Sequence, residues 1–204
     1  MKIDPANLDY KDSHELLIGA IVPRPIAFVS TVSEDGVFNA APFSFFTGVC
    51  VKPALIGFEA AWRRDGQKKD TLRNIEFSRE FVVNIVPESM AKAISQAAEE
   101  YPRHMSEFKE TGLTPKKADM VKTPMVAESP VNMECRLVQI LEFGQAPRRA
   151  SFIIGEVVRV HVKDEIWVNG QIEMAKLRAI GRLGGQLYCH TADMFEIEKA
   201  RITL

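Results

Sequence analysis

The sequence predicts a mainly β protein, an antiparallel barrel with inserted helices. Several short apolar segments have the alternation or β-branched composition of strands, and they follow one another at short spacing. The helical segments interrupt these strands instead of alternating with them, which favours a barrel over a parallel sheet. A chain of 204 residues is long enough to bury a core, and we expect a single domain over residues 1–204.

The first strands are expected between residues 26 and 58. Residues 26–33 are apolar and β-branched, Asp35 and Gly36 have the composition of a hairpin turn, and residues 37–47 continue as one extended segment. Two further short apolar runs come next, at residues 54–58 and 81–86.

Three helices are expected. The first begins with Asp70 or Thr71 as its N-cap, because both side chains can accept a hydrogen bond from the first turn. The second covers residues 89–100, which form an amphipathic pattern opened by a serine, and a third, short helix covers residues 104–109.

Strands return in the second half of the chain. Residues 131–137 alternate apolar and polar side chains, as in a half-buried strand. Residues 152–162 form a long strand with Gly155 as a bend or bulge, and a turn then leads into residues 166–168.

Composition excludes several classes of function. With 26 basic and 27 acidic residues, the chain has no broad field that would favour nucleic acid or an anionic membrane. The apolar runs are too short to span a bilayer, and the first residues lack the order of a signal peptide. We therefore expect a cytoplasmic protein whose anion binding depends on a local cluster.

The cysteines and histidines give no sign of a metal centre. Cys50, Cys135 and Cys189 are widely spaced without a CxxC motif, so each is expected to be a buried thiol. His161 lies on the polar face of its strand, where a solvated role is more common than a catalytic one. No residue is singled out as a catalytic acid, base or nucleophile.

The first candidate binding segment is Val22-Pro23-Arg24-Pro25-Ile26. Two prolines stiffen the backbone around Arg24, so its guanidinium can meet an anion or a carbonyl edge with little loss of entropy. The alternative is a surface arginine in a proline-rich approach to a strand.

The second candidate is the run from Asn39 to Thr47. Alternation places Phe43 and Phe45 on one face and Ser44 and Phe46 on the other, so both faces are expected to be dry. Small residues beside Asn39 and Ser44 would allow a flat ring to approach the backbone. The alternative is a strand buried in a subunit interface, and the two hypotheses are compatible.

The third candidate is the cationic stretch before the first long helix. This candidate is Arg63-Arg64-Asp65-Gly66-Gln67-Lys68-Lys69-Asp70-Thr71. It places four cations just before a helix N-terminus, whose free N–H groups and dipole favour an anion such as a phosphate monoester. Lys69 and Thr71 are expected to complete the site, whereas Asp70 counts against a phosphate unless its carboxylate caps the helix. The alternative is a solvated loop with an ordinary cap.

The fourth candidate is Gly181-Arg182-Leu183-Gly184-Gly185-Gln186-Leu187-Tyr188. Three glycines in five residues permit close approach of a ligand or another chain, and Arg182 and Tyr188 add a cation and a hydroxyl. A tight turn without a ligand is the alternative.

Taken together, these segments resemble the flavin reductase-like family of FMN-binding split barrels, and within it the branch of flavoredoxin-like and DIM6/NTAB-type proteins. The resemblance covers about Pro23 to Phe195. It is carried by the order and spacing of PRPIAFVSTVSEDGVFNAAPFSFF, KKDTLRNI, EFVVNIV, FKETGLTP, AESPVNMECRL, GEVVRVHV and GRLGGQLY.

The resemblance implies a six-stranded antiparallel Greek-key split barrel with inserted helices, and a homodimer that binds FMN near the subunit interface. Matching positions would then contact the flavin ring and ribityl chain, hold the phosphate, or close over the site. The cofactor-binding residues that it implies are Arg24, Pro25, Ile26, Ser30, Thr31, Asn39, Ala41, Pro42, Phe43, Ser44, Phe45, Lys69, Asp70, Thr71, Arg182, Gly184, Gly185 and Tyr188.

The implied activity is an FMN-dependent oxidoreductase, with NADH or NADPH as electron donor in a flavin reductase reaction. In this reaction the barrel binds, orients and tunes the flavin. One alternative is an FMN electron carrier that passes electrons between protein partners without its own NAD(P)H turnover. Another is a barrel that binds a different small molecule or only self-associates.

Overall fold

The computed structural model describes residues 1–198. Its strands are β1 (Ala27–Val32), β2 (Phe38–Phe43), β3 (Phe46–Cys50), β4 (Leu55–Ala61), β5 (Glu80–Ile85), β6 (Pro115–Lys116), β7 (Met125–Val126), β8 (Val131–Phe143), β9 (Ala150–Val162), β10 (Trp167–Val168), β11 (Gln171–Ile172), β12 (Ile180–Arg182) and β13 (Tyr188–His190). Its α-helices are α1 (Tyr10–Ala20), α2 (Asp70–Ser78), α3 (Ala91–Ala97), α4 (Glu107–Thr111) and α5 (Met174–Leu177), and the 3₁₀ turns are Pro5–Asn7, Glu88–Met90 and Asp164–Ile166.

Seven strands form one antiparallel sheet in the order β2-β1-β5-β8-β9-β4-β3. The two edge strands, β2 and β3, are separated in the chain by only Ser44 and Phe45, and Glu59 N–H donates to the Phe45 carbonyl at 2.9 Å. The sheet therefore curls into a barrel that is split between its edges. Counted as one interrupted strand, β2 and β3 give the six strands expected, and the fold prediction is confirmed.

The interruption corrects the prediction of one extended segment over residues 37–47. The chain leaves its pairing with β1 at Phe43 and pairs with β4 from Phe46 onward. Ser44 and Phe45, which lie between the two strands, carry the chain from its pairing with β1 to its pairing with β4. Phe43 packs in the core, 5.0 Å from Phe58 between ring centroids, so it does not share a face with Phe45 as the alternation predicted.

Aromatic side chains fill the barrel interior, and α2 closes one end. Phe58 and Phe81 meet edge to face at 5.5 Å, and Leu72 and Ile75 of α2 pack onto the same cluster. Gly155 is required here because a Cβ at this position would lie 2.3 Å from the Phe81 ring. The β8–β9 pairing also shifts register beside Gly155, which confirms the predicted irregularity.

The outer face of β5 and β8 is covered by residues 115–126. Val82 packs there against Ala118, Val121 and Met125. The strand predicted as half-buried is consequently covered on both faces from Val131 to Cys135, including at Glu134, whereas Arg136 is exposed. Sequence alternation could not show this, because the covering segment has no regular pattern of its own.

The helices differ from the predictions at their ends. Lys69, not Asp70 or Thr71, is the N-cap of α2, and no side chain of residues 1–198 caps this helix. The helix predicted over residues 89–100 is a 3₁₀ turn followed by the shorter α3, without a serine cap. The helix predicted over residues 104–109 begins three residues later, as α4, and ends at Gly112 with φ +70°.

Helix α1 was not predicted at all, although Asp9 caps it by accepting from Asp12 N–H. Among the cysteines, only Cys135 is fully buried. Cys189 is half-buried and Cys50 is exposed, so the expectation of three buried thiols is wrong for these two. Within residues 1–198, none of the helices combines the length and apolar character needed to span a membrane.

Candidate functional site

The α2 N-terminus opens into a cavity of about 160 Å³. Strand β2 forms one wall, the residues around the start of α2 form the second, and the end of α3 with its following loop forms the third. The lining residues are Asn39, Ala41, Pro42, Arg63, Lys69, Asp70, Thr71, Ala97, Ala98, Glu99, Glu100, Tyr101 and Glu107. Six of the residues implied by the resemblance are thus brought together.

The start of α2 has hydrogen-bond donors without acceptors. The N–H groups of Asp70, Thr71 and Leu72 precede the first intrahelical bond, which runs from Arg73 N–H to the Lys69 carbonyl. Neither a side chain nor a carbonyl within residues 1–198 accepts from these three groups. Together with the helix dipole, they form an anion-binding end of a nine-residue helix.

The two lysines before α2 differ in their ion pairs. Lys68 Nζ is paired with Glu76, whereas no described carboxylate lies within 4 Å of Lys69 Nζ, which lies 5.8 Å from the Phe43 ring centroid. Asp70, which counted against an anion, is neutralised by Arg63 at 2.7 Å. Lys69 is therefore the lysine available to a ligand at this end of the cavity.

A buried polar network forms the floor of the cavity. Thr31 and Thr71 both donate through their hydroxyl groups to Asn39 Oδ1, at 3.1 and 3.0 Å. Asn39 Nδ2 donates in turn to Glu107 at 2.7 Å, and Asn74 Nδ2 donates to the Thr31 hydroxyl at 3.0 Å. The network fixes strand β2 against α2 and α4, so the cavity has rigid walls.

Two carboxyl groups near this network have raised pKa values. Burial raises the pKa of Glu107, with a further rise from Asp70, although bonds from the Ala40 N–H and from Asn39 oppose it. Burial likewise raises the pKa of Glu59, against the opposing charge of Lys69. Neither carboxylate forms an ion pair with Lys69 within 4 Å.

Ser30 and Thr31 do not reach the surface of this chain. Ser30 donates to the Pro124 carbonyl at 2.6 Å, and both hydroxyl groups are completely buried. The structure therefore corrects the expectation that they close the edge of a ligand. Thr31 instead supports Asn39 from inside the barrel.

Arg24 is also engaged within the protein. Its guanidinium donates to the carbonyls of Ile18, Ile21 and Leu183 at 2.7 to 3.0 Å, and the residue is 3% exposed. Burial and the nearby Arg182 charge lower its pKa. The stiff arginine thus ties α1 to the β12–β13 hairpin, and its guanidinium meets backbone carbonyls of this chain instead of an anion. The alternative of a surface arginine is wrong, because Arg24 is buried.

The first and fourth candidate segments meet directly. Arg24 and Arg182 exchange two backbone hydrogen bonds, at 2.9 and 2.8 Å. The Arg182 guanidinium stacks over the Tyr188 ring at 4.5 Å and donates to the Gly185 carbonyl. Gly184 lies beside the end of α1, close to Ile18. The hairpin formed by β12 and β13 therefore covers Arg24.

Strand β2 connects this cap to the cavity. Arg24 Nε donates to Ser44 Oγ at 3.4 Å, and its guanidinium lies 5.8 Å from the Phe45 ring centroid. From Asn39 to Ser44 the chain extends about 17 Å, at roughly 3.3 Å per residue. That span suits an extended nucleotide with its anion at α2 and its ring near Phe45.

Two other cavities have different character. An apolar groove of about 490 Å³ begins beside Pro25 and Ile26 and continues along Val86, Met133 and Ile180. Another cavity, of about 630 Å³, lies between the Pro87 turn and α5, and charged side chains such as the Arg178–Glu88 pair line it. Neither contains the helix end with free donors.

His161 lies away from the cavity, on the outer face of β9. Its Nε2 is 2.5 Å from Glu134 Oε1, and Asp119 Oδ2 completes a group of three potential metal-ligand atoms within 4.8 Å of one another. The Glu134 oxygens already accept from the N–H groups of Asp119, Met120 and Val121. This cluster therefore fastens the covering segment to the barrel.

Comparison with known proteins agrees with this geometry. The family model described as flavin reductase like domain matches residues 14–175. The chain belongs to this family. It is 38% identical to an uncharacterized protein of Halalkalibacterium halodurans, over 100% of this chain and 98% of the relative.

Two solved structures are similar over nearly the whole chain. Nitrilotriacetate monooxygenase component B from Bacillus cereus is 37% identical, with a TM-score of 0.92 over 97% of this chain and 98% of that one. The 2-nitrobenzoate 2-nitroreductase from Pseudomonas fluorescens is 27% identical, with a TM-score of 0.90 over 100% and 98%. The flavin reductase-like assignment made from the sequence is confirmed.

Sequence reasoning missed part of the cavity wall. Glu107 and the segment from Ala97 to Tyr101 line the cavity, but in the sequence they have the pattern of exposed helix ends. Only the folding of α3 and α4 over β2 brings them to the site, and no local signal in the sequence marks that contact.

Proposed function

We propose that the protein is an FMN-dependent oxidoreductase, acting as an NAD(P)H-dependent flavin reductase. The observation that carries this proposal is the pairing of free N–H donors at the α2 N-terminus with an unpaired Lys69 beside strand β2. A phosphate monoester is the anion that suits such a helix end. The cytoplasm is the proposed location, with no nucleic acid or membrane as partner.

The described residues fit the terminal part of FMN. The cavity of about 160 Å³ has room for a phosphoryl group, since a water molecule occupies about 30 Å³ of liquid. Pockets that enclose a drug-sized ligand measure about 300–1,000 Å³, so the flavin ring must lie outside this cavity. Strand β2 leads from the cavity, which Pro42 lines, toward Ser44 and Phe45, and these residues would hold the ring.

When bound, a flavin supplies hydride acceptance and electron transfer. The residues of this chain contribute binding and orientation. Lys69 and the α2 N–H groups would hold the phosphate, and the Asn39 network keeps β2 in place against α2. Arg24 is bonded to both Ser44 and the backbone of Arg182, so it holds the β2–β3 connection against the β12–β13 hairpin. This contact would define the position of the flavin ring.

A homodimer with FMN near the subunit interface is part of the proposal. Strand β3 is an edge of the sheet, and Val49 and Val51 on and beside it are exposed at 45% and 94%. Exposed apolar side chains along a strand edge are typical of a protein contact surface. A second subunit there would cover the Phe45 end of the site, which this chain leaves open.

The test is an absorbance spectrum of the purified protein followed by NADH and NADPH oxidation with added FMN. Turnover above that of free flavin is expected, and its absence would reject the reductase. Tightly held FMN with negligible NAD(P)H oxidation would instead support the electron carrier. A protein without flavin absorbance, and without the roughly 2.7 kcal/mol of stabilisation expected at 100 times Kd, would reject flavin binding.

A further inference from the structure

We infer that binding of a phosphate monoester at the start of α2 is coupled to the uptake of a proton by Glu107, whose carboxyl group lines the same cavity. This inference rests on the proposed function, because it takes the flavin phosphate to lie at this helix end. It assigns a role to a buried carboxyl group that the binding of the flavin does not otherwise use.

A short chain of hydrogen bonds connects Glu107 to the helix end. The hydroxyl group of Thr71, in the first turn of α2, donates to Asn39 Oδ1 at 3.0 Å, and Asn39 Nδ2 donates to Glu107 Oε1 at 2.7 Å. The other carboxylate oxygen accepts from the Ala40 N–H at 3.2 Å, so the group is held in place. An anion at the helix end would therefore face a buried carboxylate across a single amide group.

Repulsion between like charges couples the two groups. Glu107 is 7% exposed, and no cation of the described residues lies within 4 Å of its carboxylate. Burial, with a further contribution from Asp70, already raises its pKa. A bound phosphate adds negative charge to the same cavity, and a neighbouring negative charge favours the neutral form of a carboxyl group.

The other charged groups around Glu107 are paired, exposed or needed for the phosphate. Arg63 is paired with Asp70 at 2.7 Å, and Lys69 would meet the phosphate itself. Strand β2 has no titratable side chain, and solvent screens the exposed groups. The titratable side chains that share the two adjoining cavities with Glu107 are Arg63, Lys69, Asp70, Glu99, Glu100, Tyr101 and Arg103.

An unused acceptor is present for the added proton. Behind the α2 cavity lies a smaller one of about 10 Å³, which both Glu107 and Asn74 line. Asn74 Oδ1 is buried and accepts no hydrogen bond from residues 1–198. A space of this size holds about one water molecule, so a protonated Glu107 would donate toward Asn74 Oδ1 through one water. The added proton thereby supplies a donor to a buried acceptor, as buried polar groups require.

Binding should become tighter as the pH falls. A carboxyl group whose pKa is higher in the complex than in the free protein takes up a proton on binding, between those two pKa values. The phosphate acts in the opposite direction, because a monoester loses its second proton near about pH 6 and the dianion binds better to cationic groups. The contribution of Glu107 is therefore the difference between wild type and a Glu107 variant.

The experiment is a calorimetric titration of flavin-free, full-length protein with FMN, in buffers of different ionisation enthalpy between about pH 5 and 8. The dependence of the heat on the buffer gives the number of protons exchanged. Wild type should take up up to about one proton more than Glu107→Gln, so the ratio of their FMN affinities should change by up to about tenfold per pH unit. Riboflavin, which lacks the phosphate, should show no such difference.

Two variants serve as matched controls. Glu110→Gln removes an exposed carboxylate of the same helix that does not line the cavity, and its proton uptake should equal that of wild type. Glu99→Gln/Glu100→Gln removes the exposed carboxylates of the cavity and should also keep the uptake. Thermal melting establishes that each variant is folded.

Infrared difference spectra of wild type provide a readout that needs no variant. The band of a protonated carboxyl group should appear when FMN binds and should be absent with riboflavin. FMN binding without this band, or with equal uptake in wild type and Glu107→Gln, would overturn the inference and leave flavin binding intact. Loss of the uptake in Glu99→Gln/Glu100→Gln would assign the proton to the exposed carboxylates and also overturn it. Failure of both flavins to bind would reject the proposed function.

Discussion

The buried carboxylate Glu134 and the start of α2 differ in whether their hydrogen-bonding groups have partners within the chain. Glu134 accepts from three backbone N–H groups and contacts His161, and no part of it is exposed. At the start of α2, three N–H groups and the Lys69 ammonium have no partner among the described residues. The first region is matched within the chain, whereas the donors of the second are open to a ligand, which we propose is an anion.

From this difference we expect the charge of Glu134 to contribute to stability and the charge of Lys69 to contribute to ligand binding. Both regions lie against the same sheet, and both join a non-strand segment to it. Buried polar groups are normally satisfied, so an unsatisfied cluster of donors at a cavity is the informative case. Removing Glu134 should therefore affect folding, whereas removing Lys69 should affect binding.

The largest effect is expected for Glu134→Gln. A glutamine offers one acceptor oxygen and turns its NH₂ group toward N–H donors, so the covering segment loses its anchor. We expect a loss of about 3 kcal/mol in the free energy of unfolding, the size found when one partner of a buried pair is removed. Urea denaturation measures it, and FMN affinity of the folded variant should be unchanged. If the free energy of unfolding of this variant equalled that of wild type within error, Glu134 would not anchor the covering segment.

Lys69→Ala should produce the complementary result. A charge-assisted contact is worth about 1.5–3 kcal/mol, so FMN affinity should fall about tenfold to 150-fold with little change in unfolding. Lys68→Ala is the control, because that ammonium is already paired with Glu76 at 2.5 Å. Equal losses in both variants, or none in either, would place the phosphate elsewhere.

The pH dependence of stability should follow Glu134. Burial alone would raise its pKa, but the bonds from His161 and three backbone N–H groups lower the pKa overall. A carboxyl group whose pKa is lower in the folded state stabilises above its ordinary pKa of about 4.3, and this stabilisation is lost as the pH falls through the folded value. The stability gap between wild type and Glu134→Gln should therefore close between neutral and strongly acidic pH. A gap that stays constant would contradict this account.

The smallest effect is expected for Glu107→Gln. Burial raises the pKa of Glu107, so its stabilising contribution is greatest below its ordinary pKa and declines as the pH rises through the folded value. The variant should lie within about 1 kcal/mol of wild type at neutral pH, and its relative stability should improve from acidic to alkaline pH. If Glu107→Gln were as destabilising as Glu134→Gln at neutral pH, the two buried carboxylates would not differ in their contribution to stability.

The sequence predicted those parts of the molecule that depend on local pattern. Apolar alternation located the strands, the Asp35-Gly36 turn joined β1 to β2, and the cations before α2 indicated the helix end that opens into the cavity. It also selected Arg24 and Arg182 as important residues, and the structure pairs their backbones.

Tertiary contacts decided what the sequence could not. The direction of the Arg24 guanidinium depends on carbonyls at the end of α1, a helix without a clear apolar stripe in its sequence. The burial of Ser30 depends on the Pro124 carbonyl, 94 positions away in the chain. Glu107 lines the cavity only because α4 folds over β2.

The most direct measurement compares FMN with riboflavin on the wild-type protein. The two ligands differ only in the phosphate, so their affinity ratio isolates the contribution of the α2 N-terminus and Lys69. The account predicts that FMN binds at least about tenfold more tightly, as one charge-assisted contact of about 1.5 kcal/mol or more requires. Equal affinities would mean that no phosphate is held at this helix end, which would contradict the central claim.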